Sequence, residues 1–390
     1  MSGSFWRLWA GGTISRLGDG VRFAAFPLLA ASLTRDARLV AGLTFVQGVP
    51  FLLFGLHAGA FVDRDDRRVV MIAVNAARAG AAGALAGSIL AGRSSIALLY
   101  VVAFLLGCGE TFADNAAAAL LPSVVSRERL RRANGLLAAA GRAAHEFVGP
   151  PLGALLFAAA AAAPVILDGA SFAAASLLVL TIRGSFRVER EEPSRVWDDV
   201  VEGLRWLRAQ RELRAVTASV AVLGVLDSLW FSILVLYALE VLHVGSLGYG
   251  LLILAGGVGG VAGSLLASRT GVRTGLAGAL LAAAATQLVL GLTSSTAVAA
   301  AMLALSGGAF GLWAVLATSL RQEVAPDRML GRMSSVYLVL GLGGIAVGGL
   351  VGGFVADAFG IRAPFLLGVP VLLATGLWVG RELASAPRRP

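Results

Sequence analysis

The sequence predicts an all-α membrane protein with twelve transmembrane helices in two pseudo-symmetric halves of six. Of its 390 residues, 57% are hydrophobic and 14% are charged, with a mean hydropathy of +0.82; this exceeds the apolar share of ordinary soluble domains. Apolar stretches of about 20 residues, enough to cross a bilayer, recur along the chain between short turns. One longer polar segment separates the first six stretches from the last six.

The predicted spans divide the chain into a first half over 1–183, a cytoplasmic linker over 184–212 and a second half with a short tail over 213–390. Linker residues Val196 and Val200 recur at helical spacing beside arginines, which is typical of an amphipathic helix on a membrane surface and equally of a solvated capping helix. The spans, each within a few residues, are 8–33, 39–62, 69–91, 96–122, 136–161, 164–183, 213–241, 246–268, 274–293, 296–322, 330–358 and 362–381.

An internal repeat supports the two halves. Three pairs share one offset of 199 residues and a fourth pair has a different offset. Two parallel six-helix halves related by an axis along the membrane normal are a known arrangement of secondary transporters. The pairs are Glu128 with Asp327, Gly149 with Gly348, Gly153 with Gly352 and, at the different offset, Asp19 with Asp227.

Arginines set the predicted orientation. All 32 basic residues are arginines, and only Arg35, Arg38, Arg93 and Arg362 fall in odd-numbered loops. Four more lie within spans, and the others occupy the tails and even-numbered loops, so both termini are predicted to be cytoplasmic. Because these arginines mark span ends and form no single basic face, the net charge of +9 indicates membrane topology and no nucleic-acid partner.

A charged loop separates the second and third spans. Its six-residue charge run over 63–68 must lie in water, so we expect a tight cytoplasmic turn. The pattern Gly-x-x-x-Asp-Arg-x-x-Arg-Arg resembles the signature loop of the major facilitator superfamily, with Asp66 where a glycine is usual. A degraded counterpart lies near Ser268, Arg269 and Arg273. The motif residues are Gly59, Asp63, Arg64, Arg67 and Arg68.

The resemblance implies a cytoplasmic gate. Asp63 would accept hydrogen bonds from the start of the eleventh span, around 331–335, while the arginines hold the turn against the linker or anionic lipid. Other features resemble the bacterial efflux branch that includes enterobactin exporters and macrolide efflux pumps. These features lie at 5–9, 15–19, 121–122, 129–130, 133–134, 149–153 and 202–205.

Ionisable residues inside spans cost about 2.5–3.5 kcal/mol each, so every one needs a partner or a water-filled cavity. Arg16, Asp19 and Arg22 lie on one face of the first span. Asp19, between two cations, is either a permanent ion pair or a proton-binding or substrate-binding group. In the second half, Asp227 is the embedded acid.

Glu110 and Asp114 lie one turn apart in the fourth span. Two close carboxylates resist joint ionisation, so one is expected to hold a proton and couple transport to protons. The alternative is that one neutralises Arg78 or Arg142. Arg142 has a second candidate partner in Glu146, one turn further along its own span.

The fifth span contains Gly149, Pro150 and Gly153, which resemble the glycine-proline motif of antiporters in this superfamily. Prolines remove backbone donors and loosen a helix, and glycines permit close helix packing. Glycines on the eighth and eleventh spans are likewise predicted to be packing surfaces. Aromatic residues either pack or line a cavity for a bulky ligand; they are Phe112, Trp230, Phe231, Phe310, Trp313 and Tyr337.

We therefore expect a multi-pass secondary transporter of the inner (plasma) membrane that works by alternating access. It would export a hydrophobic or amphipathic small molecule, such as a drug, antibiotic or siderophore, in exchange for protons; sodium is the alternative coupling ion. The chain lacks a Walker-type loop and has one cysteine, so we expect the proton gradient as energy source, with no cofactor and no metal. The expected partners are the substrate and the bilayer, with a monomeric chain.

Two other functions remain open at this point. The first is a nutrient uptake symporter on the same fold. The second is an intramembrane enzyme, for which Asp114 with Asp227 is the one carboxylate pair to consider. The proton-coupling candidates are Asp19, Glu110, Asp114, Glu146 and Asp227, and the candidate cavity cations are Arg16, Arg22, Arg78 and Arg142.

Overall fold

The computed structural model describes residues 1–55, 65–182, 184, 202, 205–207 and 210–385, and over these residues it is helical with no strand. Helix bounds agree with the predicted spans to within a few residues at most ends. The main helices are α1 Gly3–Leu33, α2 Ala37–Phe54, α3 Arg67–Leu90, α4 Ile96–Val124, α5 Leu130–Arg142, α6 Gly149–Ala159, α7 Ala163–Leu180, α8 Arg211–Phe231, α9 Ser246–Leu266, α10 Val272–Leu292, α11 Thr296–Val324, α12 Asp327–Phe359 and α13 Ala363–Ala384.

Within this described part, ten helical segments are long and apolar enough to cross a membrane. Helix α1 is long enough, but its apolar run is broken by Arg16, Asp19 and Arg22. Helices α5 and α6 are each too short alone and are joined through a π-helical segment, Ala143–Val148. The count of twelve spans therefore stays a prediction.

Helix starts follow from local side-chain chemistry. Ser2 accepts a hydrogen bond from Phe5 N at 3.1 Å, and Ser95 accepts one from Leu98 N at 3.2 Å. These contacts satisfy backbone donors that the first turn leaves unpaired. Asp66, which departs from the usual glycine of the loop motif, accepts from the backbone N of Arg68 at 2.9 Å and so caps α3.

The chain forms two compact units. Unit 1 comprises Met1–Arg35, Val46–Pro193 and Gly245–Leu251, and unit 2 comprises Asp36–Phe45, Ser194–Val244 and Leu252–Pro390. Gly59, Asp63 and Arg64 of the predicted gate lie outside the described residues, as does most of the predicted linker helix. The predicted halves, linker and gate therefore stay predictions.

In unit 1, α1 packs against α6 and α7 through glycines. A Cβ added at Gly149 would lie 2.5 Å from the Gly20 backbone, and one added at Gly20 would lie 2.6 Å from the carbonyl oxygen of His145. At Gly153, a Cβ would overlap the carbonyl of Val21. The helices thus touch backbone to backbone, as small residues in membrane helices permit.

The fifth predicted span loosens just before its prolines. Pro150 and Pro151 have no N–H, so two carbonyls in the preceding turn lose their usual donors. The Gly149 N–H bonds to the carbonyl of Ala144, five residues back, within the π-helical segment Ala143–Val148. The motif widens this helix without ending it.

Unit 2 contains the same kind of glycine contact. A Cβ at Gly352 would overlap the carbonyl of Leu229, just as one at Gly153 would overlap that of Val21. Gly153 with Gly352, and Val21 with Leu229, are matched by the same two offsets that define the sequence repeat. Gly348 packs in the same way on Val225, so the predicted packing role of the eleventh-span glycines is confirmed.

The seventh predicted span is not regular helix throughout. Helix α8 ends at Phe231, and helical structure resumes at Leu234–Leu236 and continues into a π-helical segment, Tyr237–Val241. At the break, Ser232 Oγ donates to the carbonyl of Leu229 at 3.2 Å. Ser219 makes the same contact with the carbonyl of Val216 inside α8 without interrupting it, so this hydrogen bond alone does not explain the break.

We expect Gly153→Ala to destabilise the protein by about 1–3 kcal/mol, because the new methyl group meets rigid backbone and forces the helices apart. Gly83→Ala is the matched control, since a Cβ there meets nothing within 4 Å and α3 gains helix propensity. Thermal unfolding of the purified protein in detergent measures both. Equal stability of the two variants would contradict the packing role of Gly153.

Candidate functional site

The embedded charges of unit 1 gather into one group, which we call the charge cluster. Four helices that pack together supply its members, so residues far apart in sequence meet inside the membrane-spanning region. Its members are Arg16, Asp19 and Arg22 of α1, Arg78 of α3, Glu110 and Asp114 of α4, and Asp168 of α7.

Asp19 forms the buried centre of the charge cluster. Its Oδ1 atom accepts hydrogen bonds from Arg78 Nη2 at 2.5 Å and from Arg22 Nη2 at 2.9 Å. Asp19 is only 2% exposed. The sequence predicts both cations beside Asp19 on its own helix; in the structure Arg22 comes from α1 and Arg78 from α3. This geometry matches the ion-pair interpretation of Asp19, and a proton-binding role stays a prediction.

Towards the exposed end of the cluster, Arg16 Nη2 lies 2.7 Å from both carboxylate oxygens of Asp114. These two side chains are 39% and 44% exposed. Glu110 accepts from Arg22 Nη2 at 3.0 Å and lies 4.0 Å from Arg78 Nη2. The two acids of α4 therefore neutralise chiefly the arginines of α1, where the sequence analysis considered Arg78 and Arg142.

Asp168 is a member that the sequence analysis missed. It is fully buried, and the nearest guanidinium atom is Arg22 Nε at 3.4 Å from its Oδ2. Neither carboxylate oxygen of Asp168 accepts a hydrogen bond. The signal was present, since Asp168 is an acid inside a predicted span, as Asp19 is.

Glycines leave space for the charged side chains of the cluster, and an aromatic ring contacts one of its cations. A Cβ at Gly109 would lie 2.5 Å from Cγ of Arg78, so this glycine accommodates the arginine stem. The guanidinium carbon of Arg78 lies 3.7 Å from the ring centroid of Phe172, a cation–π contact. Gly18 faces Asp168, where a Cβ would lie 2.7 Å from its Oδ1.

The charge cluster contains one more acid than it has cations. Arg16, Arg22 and Arg78 oppose four carboxyl groups, so full ionisation leaves one net negative charge on a cluster whose members are buried except at the Arg16–Asp114 end. An uncompensated buried charge is costly, whereas one bound proton makes the group neutral. The charge cluster is therefore neutral when one proton is bound and carries one negative charge when every member is ionised.

Other predicted residues lie outside the charge cluster. Arg142 and Glu146 are exposed, and the described part of the chain shows no ion pair between them, so that predicted pairing is wrong. Arg67 Nη1 donates to Ala119 O at 2.7 Å, and Arg68 Nη2 donates to Leu180 O at 2.5 Å. Both arginines thus bond to carbonyls near helix C-termini, which favour positive charge.

Unit 2 places Asp227 of α8 beside a small cavity of about 10 Å³, which we call the unit 2 cavity. Asp227 forms no ion pair with an arginine at any described position. Over the same residues, no group of three metal-ligating side chains is close enough to hold a metal. The cavity is lined by Leu223, Asp227, Ala279, Leu280, Ala283, Ser306, Ala309, Phe310 and Trp313.

The chain is similar in sequence and in fold to known membrane transporters. A family model described as transmembrane secretion effector, of the MFS type, matches residues 1–384. The chain is 28% identical to the multidrug efflux pump Tap of Mycobacterium tuberculosis, over 95% of this chain and 92% of Tap. It is 25% identical to macrolide efflux protein A of Streptococcus pyogenes, over 54% of this chain and 53% of that protein. The crystal structure of the nucleoside transporter NupG matches with a TM-score of 0.78 at 11% identity, over 99% of this chain and 100% of NupG.

We expect Asp19→Ala to destabilise the protein by about 3–5 kcal/mol, because it leaves Arg22 and Arg78 buried without their shared carboxylate. Asp357→Ala is the matched control, since this half-exposed acid lies 3.6 Å from Arg38 and its loss should cost much less. Thermal unfolding in detergent gives the comparison. If Asp19→Ala were no less stable than the control, the buried ion-pair network would not be a stabilising element.

Proposed function

Because this chain belongs to the transmembrane secretion effector family of major facilitator transporters, we propose that it exports a hydrophobic or amphipathic small molecule in exchange for protons. Family and fold make it a multi-pass membrane transporter and not an enzyme, which removes the intramembrane enzyme alternative. The proposal adds the direction of transport, the class of substrate and the energy source.

The proposed direction rests on the relatives. Tap, which the chain matches over nearly its whole length, is named a multidrug efflux pump, and a second relative is named a macrolide efflux protein. The match to the nucleoside transporter NupG has only 11% identity and bears on the fold alone. These names favour an exporter over the nutrient uptake symporter.

Proton coupling is proposed from one observation, the unequal number of acids and arginines in the charge cluster. Asp168 is its most deeply buried acid and accepts no hydrogen bond, so the ionised form of Asp168 has the least support from its surroundings. Asp168 is therefore our candidate for the proton-binding acid, ahead of Asp114, whose two oxygens are both bonded to Arg16.

Arg22 is placed to connect the proton to the other charges. It contacts Asp19 at 2.9 Å, Glu110 at 3.0 Å and Asp168 at 3.4 Å. A proton on Asp168 removes the electrostatic attraction between Asp168 and Arg22. Arg22 is then held by Asp19 and Glu110 alone. Protonation thus changes how α1 is tied to α4 and α7 within unit 1.

The remaining parts of the proposal follow from the same cycle. The proton gradient would supply the energy, with no cofactor, and the partners would be the substrate and the bilayer around a monomer. We propose a location in the plasma membrane with both termini cytoplasmic, from the arginine distribution.

The proposal is tested in everted membrane vesicles with a panel of fluorescent amphipathic compounds. Vesicles that contain the protein should accumulate at least one compound when a proton gradient with an acidic vesicle interior is imposed. They should lose it when an ionophore collapses that gradient. Vesicles without the protein are the control. Accumulation that ignores the proton gradient across a broad panel would overturn proton-coupled export.

A second measurement locates the coupling acid. We expect Asp168→Asn to abolish gradient-driven accumulation while substrate-for-substrate exchange continues, because exchange needs no net proton movement. Asp357→Asn, which removes a carboxylate at a helix end outside the cluster, should behave like the unaltered protein. Intact gradient-driven transport by Asp168→Asn would assign coupling to another member of the cluster.

A further inference from the structure

The carboxylate at the centre of the charge cluster has a counterpart in unit 2 without the cations. Asp19 accepts hydrogen bonds from two arginines, whereas the matched positions around Asp227 hold a tryptophan and an alanine. A carboxylate inside a helical bundle still needs a hydrogen-bond donor beside it. The matched pairs are Asp19 with Asp227, Arg22 with Trp230 and Arg78 with Ala283.

Helix contacts support this matching of the two units. In unit 1, a Cβ added at Gly169 would lie 3.2 Å from the Cβ of Ala82. In unit 2, a Cβ added at Gly368 would overlap the side-chain oxygen of Gln287. Ala82 and Gln287 share the offset of the Arg78 pair, and the two glycines share the offset of 199 residues. The helices therefore pack in the same register within each unit, and the alanine stands where the arginine does.

The unit 2 cavity has room for one water molecule. Its volume is about 10 Å³, which is close to the smallest space that holds a single water. Three helices line it, and its polar side chains come from α8 and α11, while α10 contributes apolar ones such as Ala283. A buried water stays in place when about two to four polar groups bond to it.

Three polar groups border this volume. Asp227 offers two carboxylate oxygens, and Ser306, which is only 6% exposed, offers a hydroxyl that can both donate and accept. The indole N–H of Trp313 is buried and has no hydrogen-bond partner among the described residues. The cavity thus combines the size of one water with enough polar groups to hold it.

We propose that the unit 2 cavity binds one structural water molecule, which donates to Asp227 and bonds to Ser306, with the indole N–H of Trp313 as its third partner. The water gives Asp227 the donor that arginines give to Asp19. It also links α8 to α11 by hydrogen bonds through a wall that is otherwise apolar. A water can donate to a carboxylate or accept from a carboxyl group, so the site suits either protonation state of Asp227.

A sodium ion is the competing occupant of similar size. Hard cations bind through several oxygen ligands, whereas an indole nitrogen is only a donor and faces a cation unfavourably. Trp313 at the cavity wall therefore favours water, and sodium is an outcome of the test. The inference goes beyond the proposed function and holds for either direction of transport.

The test is nuclear magnetic resonance of the full chain in lipid nanodiscs, with isotopically labelled tryptophan and a buffer free of sodium. The Trp313 indole signal is identified by its loss in Trp313→Phe. We expect the indole proton to show a dipolar contact with a water proton, which a rotating-frame experiment separates from proton exchange by its sign. Addition of sodium should leave this contact unchanged. Absence of the contact, or its loss on addition of sodium, would overturn the inference.

A variant that fills the cavity should displace the water. Ala283→Val adds two methyl groups from α10, so the contact with water should disappear and the Trp313 indole proton should shift upfield on losing its acceptor. Ala285→Val is the matched control, because Ala285 lies on the same helix with an exposed side chain, and it should leave the signal unchanged. A contact that survives in Ala283→Val would contradict the proposed water site.

Thermal unfolding in detergent provides an independent readout. Ser306→Ala removes one partner of the water and should lower Tm in the unaltered protein. It should lower Tm less in the Ala283→Val background, where the water is already displaced, because the two changes act on one shared contact. Ala309→Val fills the same cavity from α11 and replaces Ala283→Val if that variant folds poorly. An equal loss in both backgrounds would count against a water held by Ser306.

Discussion

The cost of placing ions in a membrane is the constraint from which the organisation of unit 1 follows. Asp19 holds Arg22 and Arg78 together, and these contacts fix the relative positions of α1 and α3. Gly109 has no side chain, and this leaves space for the aliphatic stem of Arg78. The ring of Phe172 covers the guanidinium group of the same arginine. Helix packing, glycine placement and aromatic placement all serve the same small group of charges.

The two units share the same contacts between helix backbones but differ in the side chains that fill their interiors. Backbone contacts such as Gly153 on Val21 and Gly352 on Leu229 are kept, so the helices approach in the same way in each. The interior between them differs, being filled with paired charges in unit 1 and left partly open around Asp227 in unit 2.

The all-helical class, the major facilitator family and most helix ends could be predicted from the sequence. The lengths of apolar stretches and the capping residues that set these features are local properties of the chain. The ion-pair partners of Arg16 and Arg22 could not be predicted, because the rotation of each helix about its axis decides which side chains meet. Asp168 was missed although its burial in a span was visible in the sequence. The break after Phe231 was not predicted, because no proline or glycine marks it in the sequence.

The π-helical turn over Ala143–Val148 makes one helix of unit 1 differ from its match in the sequence repeat. Its counterpart in the other unit lies in α12, which is continuous α-helix from Asp327 to Phe359. A π turn rotates what precedes it by roughly the angle of one residue, about 100°. Residues of α5 therefore keep the same sequence distance from Gly149 as their matches keep from Gly348, yet present a different face. The two helices thus differ by a local rotation alone, with no insertion or deletion to mark it in the sequence repeat.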